Sequence, residues 1–242
     1  MRLDIEEAIN VLQKLQKNMG SSSGTEPIRT AAIALHFIWG SGHLHNFEDC
    51  LACLGEDAPT TASPAFDTRE QAEEWLQQPM EPHHAHRVAI AGRLYSVGYS
   101  LEHGVRFLIR VPDKTELDTP RQTSSPLLNE AIDALHRARR YVHAPTDMEF
   151  IDSALLALHF ILENGQLLDF ERFVGNFDSK ASFSPLCSFA TREQADTWLS
   201  AHPRPPHGAQ VGIAGQRYSV GYSRDSGLRV LVRQPSLEEL DG

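Results

Sequence analysis

An α+β architecture written twice in line follows from three features of the chain. The first is self-similarity: FDTREQAEEWL at 66–76 returns as FATREQADTWL at 189–199. A shift of 123 residues lays Gly92 on Gly215, Tyr95 on Tyr218, Tyr99 on Tyr222, Arg110 on Arg233, and IALHFI (33–38) on LALHFI (156–161). The second is a change of period inside each copy, from helical spacing to short β-rich runs. The third is the glycine and proline punctuation between those runs. The expected organisation is a first repeat over 1–113, a linker over 114–125, a second repeat over 126–236 and a tail over 237–242. Each repeat should carry three to four helices followed by a three-stranded antiparallel β-meander. At about 110 residues, each copy is long enough to bury its own core.

Within one copy, Ile5, Ala8, Ile9, Leu12 and Leu15 recur at helical spacing and predict an amphipathic helix over 4–18. A second helix is expected over 27–39, with Pro27 in its first turn, and Gly40 and Gly42 break it. A third, short helix is expected over 46–54, with its counterpart over 169–175. Thr68-Arg-Glu-Gln71 then reads as a capping box, the threonine hydroxyl accepting from the first turn and Gln71 reaching back. Glu70 suits the positive end of that helix, and Ala72, Trp75 and Leu76 form its apolar stripe. The tryptophan is expected to pack inward. Prolines stop the helix, Pro79 and Pro82 in copy one and Pro203, Pro205 and Pro206 in copy two. The runs VAIAG, RLYSVGYS and VRFLIR, repeated as VGIAG, QRYSVGYS and LRVLVR, make the meander. Between the copies, DKTELDTPRQTSS (113–125) is polar, carries Pro120 and lacks any hydrophobic period, so it reads as a linker.

Bulk properties narrow the function. The chain has 242 residues, 41% of them hydrophobic and 22% charged, as globular proteins do. Its formal charge of −10 argues against binding nucleic acid or an anionic membrane, since both need a basic face. The longest apolar run, Ala31 to Trp39, is about half the roughly 20 residues of a membrane-spanning helix. The N-terminus has acidic residues where a signal peptide would be basic and apolar, so a cytoplasmic location is expected. Three cysteines, an odd and sparse set, argue against a disulfide framework.

The candidate chemistry is sparse. His43 and His45, and His83, His84 and His86, suggest metal ligands, but copy two has Gln166 and Leu168, and Pro206, His207 and Ala209, at those places. A metal site is therefore not a property of the repeated unit; exposed loop histidines are the favoured reading, with a site private to copy one as the other. His36 and His159, inside ALHF, read as core residues. His84 and His207, ahead of the first meander strand, read as loop caps. Cys50 and Cys53 read as two small buried hydrophobes, since their counterparts are Phe173 and Asn176. No nucleophile elbow, P-loop, dinucleotide fingerprint or metalloprotease helix is present. Neither cofactor nor metal is expected. The suggestive feature is one sheet face. Alternation groups Tyr95, Val97 and Tyr99 with Val105, Phe107 and Ile109 as the core side. It leaves Ser96, Gly98, Ser100, Arg106 and Arg110, with Ser219, Gly221, Ser223, Arg229 and Arg233, as an open, donor-rich face for a partner. A mid-strand glycine marks a bulge or the close approach of another backbone, and arginine suits interfaces.

The stretch FATREQADTWLSAHPRPPHGAQVGIAGQRYSVGYSRDSG (189–227) resembles myxobacterial-type immunity proteins of contact-dependent, swarm-inhibition toxin systems. The resemblance rests on Arg192, Glu193, Ala195, Trp198 and Leu199; on Pro203, Pro205, Pro206, His207, Gly208 and Ala209; and on Val211, Ile213, Ala214, Gly215 and Tyr218. Copy one departs from it at PMEPHHAH (79–86). The resemblance covers about forty residues per copy and brings no catalytic residues with it. It implies a non-enzymatic inhibitor held in the cytoplasm that binds and neutralises a cognate toxin delivered by a sibling cell. A scaffold or adaptor binding through two homologous domains is the alternative.

Overall fold

The computed structural model describes residues 3–18, 25–54, 64–78, 86–100, 105–120, 122–178, 185–202, 209–222, 229–234 and 236. It is an α+β protein. The first half runs α1 (Ile5–Asn18), α2 (Thr25–Gly40), α3 (Leu44–Cys53), β1 (Ala65–Phe66), α4 (Arg69–Leu76), β2 (Arg87–Ile90), β3 (Arg93–Ser100) and β4 (Val105–Arg110). After α5 (Lys114–Asp118), the second half runs α6 (Pro126–Arg139), α7 (Pro145–Glu163), α8 (Leu167–Asp178), β5 (Cys187–Phe189), α9 (Arg192–Ala201), β6 (Gln210–Ile213), β7 (Gln216–Tyr222) and β8 (Arg229–Gln234).

The helices do not divide into two cores. α1 buries Ile5, Ala8, Ile9 and Leu12, the stripe expected from its spacing. α2 and α7 are apolar on nearly every side, which a helix can be only if it is surrounded. Each is surrounded by elements of both halves: α2 packs on α1, α6, α7 and α8. One cluster accordingly joins Leu12, Ile33, Phe47, Ile132, Leu158 and Phe170. The aromatic contacts across it are reciprocal. Phe37 of α2 meets Phe170 of α8 at 5.5 Å between ring centroids, and Phe160 of α7 meets Phe47 of α3 at 5.6 Å. Separate burial holds only for two small clusters at the sheets, one around Ala72, Val88 and Val97 and one around Ala195, Val211 and Val220.

Each sheet has four strands, in the orders β1-β2-β3-β4 and β5-β6-β7-β8, where a three-stranded meander was expected. The added strands are parallel to β2 and β6. They are two and three residues long, too short for a period-2 pattern to register in the sequence. β1 is fixed by the Ala89 amide donating to the Pro64 carbonyl at 3.1 Å and the Ala91 amide donating to Phe66 at 2.9 Å. The linker also differs from expectation. Asp113 and Glu116 close a reciprocal capping box on α5, and Leu117 is buried in the shared core.

Candidate functional site

The expected open sheet face is corrected by the strand register. Residues of β3 and β4 pair as Tyr95 with Arg110, Val97 with Leu108 and Gly98 with Phe107. Directly paired residues share a face. Tyr95, Val97 and Tyr99 therefore lie with Arg106, Leu108 and Arg110, while Ser96 and Gly98 lie with Phe107 and Ile109. A one-residue change of register exchanges every side chain on a strand between faces, and the expectation had joined β3 to β4 in the wrong phase. Both faces are covered. α4 lies over Val88, Val97 and Leu108, and the helical core takes Phe107 and Ile109. The second sheet repeats the register, with Tyr218 on Arg233 and Val220 on Leu231.

The serines and glycines are consequently internal. Ser96 is 1% exposed and Ser219 is 2%, and neither hydroxyl has a hydrogen-bond partner among the described residues. A Cβ added to Gly98 would stand 2.6 Å from Ile109 Cδ1. One on Gly221 would stand 3.2 Å from Val232 Cγ2 and 3.6 Å from the Trp39 carbonyl oxygen. The close approach that a mid-strand glycine signals is thus present at Gly221, and the approaching backbone is the end of α2 from the other half. Ser100 ends β3 opposite Val105, and its side chain and the whole of Ser223 lie outside the described residues.

The four arginines separate into different roles. Arg110 is committed internally, paired with Glu116 of α5 and with Glu163 of α7, the latter at 3.1 Å. Burial works against its charge, but Glu116 and Glu163 outweigh that and hold the guanidinium above its ordinary pKa. Arg233 is exposed, with Nε donating to Gln216 Oε1 at 3.2 Å. Arg229 is half-buried opposite Tyr222. Arg106 is half-buried and lines a cleft of about 640 Å³ between α4 and the outer edge of β4. Arg69, Glu73, Gln77, Tyr99 and Val105 are also in its wall.

The capping box forms as expected. The Gln71 amide donates to Thr68 Oγ1 at 3.3 Å, and the Thr68 amide donates to Gln71 Oε1 at 3.3 Å. In the other half the Gln194 amide donates to Thr191 Oγ1 at 3.4 Å, while Gln194 Oε1 accepts from Ala190 at 3.1 Å. Trp75 is half-buried beside Phe66 and His86, at the rim of its cluster rather than its centre. Sequence reasoning assigned TREQA to folding through its threonine and glutamine and overlooked its arginine. Arg69 Nε pairs with Glu73 at 2.8 Å. Arg192 Nε pairs with Asp196 at 3.1 Å, lies over the Tyr218 ring at 5.4 Å, and sends Nη2 to the Leu231 carbonyl at 3.1 Å. The signal was an arginine repeated beside both caps with an acid four residues on. Asn46 was also missed. Almost fully buried, it brackets the Tyr99 backbone, Nδ2 donating to the carbonyl at 3.3 Å and Oδ1 accepting from the amide at 3.2 Å.

The remaining candidates take structural places. His45 Nε2 lies 3.2 Å from the Tyr99 carbonyl oxygen, and His43 packs against Phe107 and Phe160. His36 and His159 are buried in the core, as expected. His83, His84 and His207 lie outside the described residues. No group of three or more histidine, cysteine or acidic side chains among the described residues could hold a metal ion. Cys50 and Cys53 are buried free thiols, and burial raises the pKa of both. Comparison with known proteins gives no match to a family model, a curated protein or a solved structure.

Proposed function

We propose that this chain is a non-enzymatic immunity protein, built by tandem duplication, that binds and neutralises a cognate bacterial toxin in the cytoplasm. The duplication is supported by the 123-residue shift, which carries the register sum of β3 with β4 onto that of β7 with β8 without slippage. The immunity reading is supported by the forty-residue resemblance of 189–227, whose described residues form a capped helix lying on a small sheet. The observation that carries it is that this corner occurs twice, each time with arginines at the edge of the sheet: Arg106 at one, Arg229 and Arg233 at the other. Such edges suit protein recognition, where arginine is favoured and charge sets partner and on-rate. The net charge of −10 favours a basic toxin overall. Among the described residues no helix is long and apolar enough to cross a membrane.

The test is co-expression with the product of the adjacent gene, where a secreted lipoprotein with a toxic C-terminal domain is expected. Growth should be restored, and light scattering after gel filtration should give one toxin per chain. Two identical partners per chain would favour the adaptor reading, because the two corners are alike. Neither binding nor rescue would end the immunity reading.

A further inference from the structure

From Ala134 to Thr146 the chain carries three arginines, two histidines and no acid, although its net charge is −10. This stretch holds the end of α6 and the turn into α7. The Arg140 amide donates to the Arg137 carbonyl at 3.1 Å and the Tyr141 amide to the Ala138 carbonyl at 2.9 Å, so the backbone keeps turning past Arg139. Spacing of three and four residues then sets Arg137, Arg140 and Tyr141 on one face. The neighbouring Ala138 and Val142 are buried, so this face looks outward. Arg137 and Arg140 are exposed, and Tyr141 is 75% exposed, more than any other large apolar side chain described. Arg139 is committed elsewhere: Nε pairs with Asp152 at 3.2 Å, and Asp118 takes a second nitrogen. Arg137 and Arg140 have no ion pair or side-chain hydrogen bond among the described residues. The nearest acids along the chain, Asp133 and Asp147, pair with neither.

We infer that this face docks a short acidic segment of a partner protein. The two guanidiniums take its carboxylates, and the tyrosine ring takes an apolar side chain beside them. Charge complementarity chooses the occupant, because unpaired arginines grouped in an acidic chain select a local run of negative charge. Tyrosine and arginine, with tryptophan, are the side chains that most often anchor protein interfaces. A helix C-terminus also favours cations. In the first half that demand is met by Lys14 and Lys17, the counterparts of Arg137 and Arg140 at the 123-residue shift, and Asn18 stands in the place of Tyr141. Lysine lacks the planar fork that grips a carboxylate with two hydrogen bonds. Only the second half therefore carries the surface, and one acidic segment docks per chain. Nucleic acid, whose phosphates also suit arginine, is disfavoured by the overall charge. The inference rests on the binding reading only in requiring a protein partner.

The experiment uses the full chain, labelled with nitrogen-15, and a capped peptide Thr-Glu-Val-Glu-Glu-Val-Thr. A peptide with lysine replacing glutamate and a single-stranded oligonucleotide are the controls. The acidic peptide should shift the amides of Arg137, Arg140 and Tyr141 and leave those of Lys14 and Lys17 unchanged. Arg137→Ala combined with Arg140→Ala should weaken binding roughly tenfold, and Tyr141→Ala roughly threefold. The same two arginines changed to lysine should give an intermediate loss, whereas Lys14→Ala with Lys17→Ala should bind as wild type. All these side chains are exposed, so the folded amide spectrum should survive each change. Absence of shifts on this face, equal shifts with the lysine peptide, or wild-type affinity in the double alanine variant would each overturn the surface. Tighter binding of the oligonucleotide than of the peptide would overturn its occupant. Against the adjacent gene's product, a double alanine variant that binds and rescues as wild type would overturn the surface as a partner contact and leave the immunity reading standing. A wild-type chain that takes the peptide but neither binds nor neutralises that product would overturn the immunity reading and leave the surface standing.

Discussion

His36 shows how a residue that titrates can be placed where it should stay neutral. Its imidazole lies in α2 beside Trp39, ring centroids 6.3 Å apart, and burial lowers its pKa from 6.5 to about 4. A histidine with a folded pKa below its unfolded one binds protons more readily in the unfolded chain. Its contribution to stability is therefore complete above pH 6.5 and is lost as pH falls from 6.5 towards 4. Taking the difference between those values at face, the loss reaches about 3 kcal/mol. Urea unfolding at pH 7.5 and pH 4.5 should give a drop in stability that is clearly smaller in His36→Leu. An unchanged drop would mean that the imidazole is solvated. The burial of His36 and His159 was legible because both stand within an apolar helical period. The burial of Ser96, Gly98, Ser219 and Gly221 was not. Small polar residues on a strand resemble a solvated face in sequence, yet here their smallness is what lets α2 come within 3.6 Å of an added Cβ at Gly221.

At the scale of elements, the two hairpins joining β2 to β3 and β6 to β7 share a suboptimal turn. Ala91 and Gly92 have φ of 48° and 75°, and Ala214 and Gly215 have 50° and 80°. Two central residues with positive φ in a two-residue loop define a type I′ turn, where asparagine then glycine is the favoured pair. Alanine in the left-handed region costs about 1 kcal/mol, which asparagine largely avoids. Ala91→Asn and Ala214→Asn should each stabilise the protein by about 0.5–1 kcal/mol, additively, since the turns belong to separate sheets. A higher midpoint in thermal unfolding checks this, and a lower one would show that the methyl groups make contacts worth more than the strain. The turns, the capped helices α4 and α9, and the strand order of the meander could all be read from the chain, because each depends on residues near in sequence. Strand phase between β3 and β4 could not. It is set by the two layers that pack on the sheet from either side, and alternation alone permits both phases.

For the whole molecule the decisive fact is that the helices of the two halves exchange partners. α2 of the first half packs against β7 and β8 of the second, α7 of the second packs against β4 of the first, and Arg110 and Glu163 join the halves at that contact. Nothing in an amphipathic or wholly apolar helix says which copy will cover it, so a repeat pattern naturally suggests two independent cores. The consequence is testable. Separating the halves would strip Phe37, Phe47, Phe160 and Phe170 of their reciprocal contacts. Re-exposing four such side chains costs on the order of 5–10 kcal/mol, comparable with the whole stability of a typical domain. The intact chain should therefore unfold in one cooperative urea transition. Fragments 1–123 and 124–242, made separately, should retain helical far-ultraviolet signal but lack near-ultraviolet signal and dispersed amide resonances. Mixing them should restore both, in proportion to complex formed. If either fragment alone gave dispersed resonances and its own cooperative transition, the halves would be autonomous domains. The sheet corners would then move independently of one another.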